Sequence, residues 1–137
     1  MKLLTRDLFR ESTLARNGGL CLEPSCPLPA VDAHHILNRR LFKEDFEYGG
    51  YFFENGAGLC STHHLEAERT IISNSSLYSW ANIAVPAIPA HLDPSLEYDT
   101  WGNIVVSDYE RLAGELFTDE GCQKALKAGQ KLWMVYS

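Results

Sequence analysis

Four of the five histidines in this chain occur as two adjacent pairs, His34-His35 and His63-His64, and three of its four cysteines, Cys21, Cys26 and Cys60, flank them. Core filling alone does not cluster these residue types. Thiolate and imidazole are the soft and borderline ligands of divalent metals, and a metal site needs several of them gathered by short turns. The clustering therefore demands a fold that brings residues near 21–26, 34–35 and 60–64 together.

The spacings are specific. Four residues separate Cys21 from Cys26, and two separate Cys60 from His63. Both gaps fit a pair of knuckles, in which two turns each give two ligands to one tetrahedral ion, so Cys21, Cys26, Cys60 and His63 are the expected ligands of a structural Zn²⁺. The plain alternative is that these cysteines are small buried hydrophobes. The knuckle CLEPSC is polar and carries a proline, which favours the metal. Cys122, alone on an expected helix, reads as a core residue.

A coarse pass places these residues on elements. Apolar Leu4, Leu8, Phe9 and Leu14 share one face of a helix expected over 4–17, which Gly18-Gly19 ends. AVDAHHIL reads as a short strand, and a second strand is expected within FKEDFEYGGYFFENGAG. LCSTHHLEAERTI opens a helix that Ser61 or Thr62 can cap, with Glu66 and Glu68 in its first two turns, where acids suit the dipole. Further on, VPAIPAHLDP is Pro-rich and predicts a surface strap, and EYDTWGNIVV a hairpin turning at Gly102-Asn103 with a strand from Ile104 to Val106. Helices are expected over DYERLAGELF and DEGCQKALKA, and a last strand over KLWMVY.

Neighbouring residues on a strand point to opposite faces, so His34 and His35 reach one site only at a twisted strand end or a bulge. On the following helix His64 and Glu68 stand at i and i+4 and share a face. If Cys60 and His63 turn toward zinc, His64 turns away and is free for a second metal. Glu68 is a possible extra ligand, though a helix glutamate is more often simply exposed.

DAHHIL, ENGAGLC and LCSTHHLEAE together resemble the motif of the HNH endonucleases in their zinc-knuckle-supported version, over about residues 18–72. The resemblance implies an α+β fold with a ββα-metal (His-Me finger) core at 1–82, carrying an N-terminal helix and the knuckles. An irregular α/β extension at 83–137 would pack on that core. By position, His34 matches the first ligand of the catalytic metal, His35 the general base, Asn55 the middle Asn and His64 the final ligand. Asn55 would pin its loop or orient the His35 ring. The family implies Mg²⁺ as the usual catalytic ion, with other divalent ions accepted, and two imidazoles leave a transition metal open. His63 stands where the family more often has cysteine, so His63 and His64 are interchangeable on sequence alone. Asp32 could supply a carboxylate in place of His34.

Such a site has its chemistry at hand. Phosphodiester hydrolysis needs a water to lose a proton, which a neutral imidazole can take, and a divalent ion to meet charge on the phosphoryl and leaving oxygens. The expected activity is thus a metal-dependent DNA endonuclease acting on double-stranded DNA, in a phage, mobile-element or restriction setting, alone, as a homodimer or in a larger complex. Arg39, Arg40, Lys43 and Arg69 are the candidate phosphate contacts, although Glu44, Asp45 and Glu47 nearly cancel the local charge. Tyr48, Tyr51, Phe52 and Phe53 are expected to pack the core rather than stack bases. The formal net charge of −6 argues against a general nucleic-acid coat. That balance favours the alternative, a zinc-stabilised nucleic-acid or protein-binding module with an inactive HNH centre. No stretch approaches the roughly 20 apolar residues of a membrane span. Lys2, Arg6, Asp7 and Arg10 deny the N-terminus the apolar middle of a signal peptide, so an intracellular, cytoplasmic chain is expected.

Overall fold

The computed structural model describes residues 1–42 and 49–105. The first element is α1 (Arg6–Ala15), which starts where the Thr5 hydroxyl accepts the Leu8 N–H at 3.2 Å. Phe9 and Thr13, one turn apart, form its buried stripe. The chain then loops through Cys21 and Cys26 into β1 (Asp32–His35), crosses two short 3-10 turns at Arg39–Leu41 and Phe53–Asn55, and returns as β2 (Gly56–Leu59). These strands form a two-stranded antiparallel sheet in which Asp32 faces Leu59 and His35 faces Gly56. Helices α2 (Ser61–Glu68) and α3 (Asn74–Trp80) follow. Among the described residues the fold is therefore small α+β, with three helices and this one sheet.

The composition of β2, Gly-Ala-Gly-Leu, is set by what lies on it. A Cβ on Gly56 would fall against the Thr13 side chain, 2.9 Å from its Cγ2, and one on Gly58 would stand 2.8 Å from the Thr13 carbonyl oxygen. Side chains there would push α1 off the sheet. The expected second strand thus lies at the end of the segment proposed for it. The aromatic run before it takes other places: Tyr51 packs on Phe9, Phe52 on Phe42, and Phe53 lies 3.5 Å under the Arg16 guanidinium.

Two hydrophobic clusters flank the sheet. One holds Cys21, Leu22, Ile36, Ala57, Leu59, Cys60, Ala67, Leu77 and Ala81. The other holds Leu37, Phe42, Ala87, Leu92, Leu96, Tyr98 and Ile104. The Pro-rich segment expected to strap the surface therefore contributes to the core through Ala87 and Leu92. Its prolines break regular structure without making it polar, and the apolar residues between them turn inward.

Helix α3 has no counterpart among the elements expected from the sequence. Ser73 caps it, its hydroxyl accepting the Ser76 N–H at 3.1 Å, and Leu77 anchors it. The expected hairpin reduces to a single bridge, Tyr98 to Ile104. Its turn comes earlier than Gly102-Asn103: the Gly102 N–H reaches the Asp99 carbonyl at 3.0 Å, and the Asp99 carboxylate accepts the N–H groups of Trp101 and Asn103. Gly102, at φ 82°, supplies the left-handed residue that closes the turn. This turn braces the sheet end and the helices, since the Asn38 N–H donates to the Thr100 carbonyl at 2.8 Å and the Asn74 amide to the Tyr98 carbonyl at 2.8 Å. No described helix is long and apolar enough to cross a membrane. Val106, Tyr48, Lys43, Cys122 and the expected elements over DYERLAGELF, DEGCQKALKA and KLWMVY lie outside the described residues.

Candidate functional site

Helix α2 is capped neither by Ser61 nor by Thr62. Its N-cap is Cys60, whose sulfur accepts the His63 N–H at 3.5 Å. That geometry turns the sulfur and the His63 ring to the same side. His63 Nδ1 lies 3.2 Å from Cys60 Sγ and 3.4 Å from Cys21 Sγ, and Cys26 Sγ lies 3.9 Å from Cys60 Sγ. Donors around a tetrahedral zinc, with Zn–S about 2.3 Å and Zn–N about 2.0 Å, stand roughly 3.5–3.8 Å apart. These four side chains have donor atoms all within 4.8 Å of one another and can hold a metal ion such as zinc. The Glu23 and Glu66 carboxylates both stand 3.8 Å from His63 Nε2, on the side away from the sulfurs. Burial pushes the Cys21 thiol up to about 11. At Cys60 burial acts in the same direction, but hydrogen bonds from the His63 N–H, from Cys21 and Cys26 and from the Thr62 N–H outweigh it and lower that thiol.

The second histidine of each pair goes elsewhere. His63 belongs with the cysteines, while His64 groups with His34 and Glu68, again with donor atoms within 4.8 Å. The His34 and His64 rings meet edge to face at 5.1 Å. His64 Nδ1 is 3.1 Å from Asp32 Oδ2, and His64 Nε2 is 3.2 Å from Glu68 Oε1. Asp32 thus lies against the His64 ring and does not take the place of His34. On β1, Asp32 and His34 share the face toward α2, and His35 takes the other face, toward α1. There its ring stacks on Phe9 at 4.5 Å and meets Tyr51 edge-on at 5.3 Å.

Because His35 ends β1, both neighbours reach one cavity of about 330 Å³ at the strand end, lined also by His64, Glu68, Arg39 and Tyr51. Burial first, then the repulsion a second protonated ring at His64 or His35 would bring, push His34 down to about 3; burial, then Arg39 and His64, push His35 down to about 4. Both rings are held neutral at pH 7, and the Nε2 atom of each is buried with no hydrogen-bond partner. Unpaired buried nitrogens are costly unless something meets them. Neutral imidazoles with free lone pairs are the state that ligates a metal or accepts a proton. The donor chemistry of His34, His64 and Glu68 therefore fits a divalent cation.

Asn55 does not touch this cavity. Fully buried, it accepts the Leu37 N–H at 2.9 Å and donates to the carbonyls of Leu37 at 2.9 Å and Gly50 at 3.3 Å. It clamps the backbone just beyond β1 to the loop at Gly50. Asn55→Ala is expected to strand these groups in a dry interior, at about 1–3 kcal/mol for each left unsatisfied. Urea unfolding should show a fall of several kcal/mol with zinc content unchanged; a loss under 1 kcal/mol would contradict the clamp.

Of the basic residues expected to meet phosphate, Arg39 lines the cavity and donates to the Tyr51 hydroxyl at 3.2 Å. Arg40 is exposed on the same 3-10 turn, and Arg69, the C-cap of α2, is exposed outside the cavity lining. Arg6 and Arg10 of α1 line the cavity and were missed in sequence. Their i, i+4 spacing on the helix that buries Phe9 was the available signal. Comparison of the chain with protein-family models, curated proteins and solved structures finds no match.

Proposed function

We propose that this chain is a metal-dependent nuclease that hydrolyses phosphodiester bonds of DNA with a ββα-metal centre of the HNH type, supported by a structural zinc. One observation carries the reading. His35, its Nε2 without a hydrogen-bond partner, lines the same cavity as the His34–His64–Glu68 group, at the end of an antiparallel pair that leads directly into α2. A proton acceptor and a cation-binding set side by side are what phosphodiester hydrolysis needs.

In this reading His34 and His64 hold the ion. A bound divalent cation would supply positive charge to the phosphoryl and leaving oxygens. His35 Nε2 takes a proton from the attacking water, the water oxygen bonds to phosphorus, and the bond from phosphorus to the leaving oxygen breaks, that oxygen then taking up a proton from solvent. Phe9 and Tyr51 hold the His35 ring in place. Arg6, Arg10 and Arg39 give the cavity mouth its positive side, where the phosphates flanking the scissile bond would lie.

Incubating purified protein with supercoiled plasmid in Mg²⁺, Mn²⁺, Ni²⁺ or EDTA tests this. Nicking or linearisation that needs the divalent ion is the expected result. Protein that carries zinc and cleaves nothing in any of these ions would favour the binding-module reading, to which the acidic net charge of −6 lends weight.

A further inference from the structure

We infer that Glu68 is the third protein ligand of the cavity ion and Asp32 the residue that orients His64 toward it, making a two-histidine, one-carboxylate site for a harder, octahedral dication such as Mn²⁺. The inference deepens the metal-dependent reading above, with which it shares the cavity. Both carboxylates lie against one imidazole. Asp32 Oδ2 stands 3.1 Å from His64 Nδ1, close enough to accept its proton. That bond fixes the tautomer in which His64 Nε2 carries a lone pair. Nε2 faces Glu68 Oε1 at 3.2 Å, so either a second proton on the ring or a metal cation lies between the two atoms.

The separation fits such a cation. Two donors in adjacent positions of an octahedral ion, each about 2.1 Å from it, stand about 3 Å apart. His34 supplies the second, independent observation, since its Nε2 is buried beside the pair and has no partner. A proton shared between His64 and the two carboxylates would satisfy that ring but would leave His34 Nε2 orphaned. A metal satisfies both.

Glu68 is also out of place as a helix residue. It ends α2, where the dipole disfavours an acid, and the Trp101 indole N–H and the Thr100 hydroxyl donate to the carbonyls of Glu68 and Ala67 at 3.2 and 3.3 Å, bracing that last turn. The two centres are then sorted by donor softness. Three thiolates and one imidazole select zinc, whereas two imidazoles and a carboxylate accept Mn²⁺ or Mg²⁺ and leave positions open for water and phosphate.

Mn²⁺ binding to the zinc-loaded protein, followed by loss of the free-ion EPR signal, provides a test that does not depend on cleavage. Wild type should bind one Mn²⁺. Glu68→Gln, nearly isosteric, should weaken Mn²⁺ at least tenfold, and Asp32→Asn by about 10–100-fold as an orienting partner. Zinc content and the melting temperature of the zinc-loaded protein should stay at wild-type values in both. Unchanged Mn²⁺ affinity in Glu68→Gln would overturn the ligand assignment, as would a wild type that binds no Mn²⁺ at all, the outcome expected of a bridging proton. Glu68-dependent Mn²⁺ binding without plasmid cleavage would leave this site standing and remove the nuclease reading instead.

Discussion

Cys60→Ala is expected to empty the zinc knuckle and unfold the half of the molecule built around it. The residue is a candidate ligand, the N-cap of α2 and a member of the hydrophobic cluster that holds Cys21, Leu59 and Leu77. These roles differ in size. Losing a helix cap costs about 1 kcal/mol, whereas structural zinc is worth about 10–16 kcal/mol of apparent binding energy in small domains, much of it folding energy. Cys60→Ser separates them, because a hydroxyl still caps α2 but makes a poor zinc ligand. Both variants should fall from about one zinc per chain to none, and both should lose the cooperative melt of wild type, the serine variant scarcely better than the alanine. Wild-type zinc content in Cys60→Ala, with a melting temperature lowered only by the few degrees a lost cap costs, would show that the sulfur is only a buried cap. The loss should reach the cavity too, since α2 carries His64 and Glu68 immediately after the knuckle.

How much of this was legible in the sequence follows from how local each interaction is. The knuckles were, because Cys21 with Cys26 and Cys60 with His63 are gathered by turns only a few residues long. Their partition from the cavity group was legible only up to an exchange. His63 and His64 are adjacent, and what decides between them is the Cys60 sulfur taking the His63 N–H as the cap of α2, a place where serine or threonine is the usual residue. The β2 strand carries no alternating pattern because its register is set by α1 lying on Gly56 and Gly58. Helix α3 is too short to show periodicity and depends on the Ser73 cap and on Leu77. The burial of Ala87 and Leu92 is hidden by the prolines around them, which mark a break in regular structure but not its depth. The sequence does not mark Arg6 and Arg10 as cavity residues, because their helix reads as ordinary; only the stacking of Phe9 on His35 brings its charged edge to the cavity.

His35→Ala is expected to abolish cleavage while leaving both metals bound. The argument lies in how the two neighbouring histidines are held. His34 shares its face with Asp32, turns to His64 and Glu68, and in the proposed mechanism would be taken up by the ion. His35 is kept from that group by strand alternation, and its ring is pinned by Phe9 at 4.5 Å and Tyr51 at 5.3 Å. Nothing bonds its Nε2. A positioned base contributes about 10²- to 10⁴-fold, and the loss should appear in kcat with KM nearly unchanged, because a base acts in the transition state and not in binding. Deleting the ring also removes its stacking, so the variant alone does not separate a base from a packing residue. Imidazole added to the buffer does. It can enter the space left beside Phe9 and accept the proton, so His35→Ala should regain a measurable part of its activity in proportion to imidazole concentration, whereas His34→Ala should not. Cleavage at the wild-type rate in His35→Ala would remove the base from the mechanism. A dead variant that imidazole leaves dead, though folded and loaded with zinc and Mn²⁺, would return His35 to the role of a ring packed between Phe9 and Tyr51.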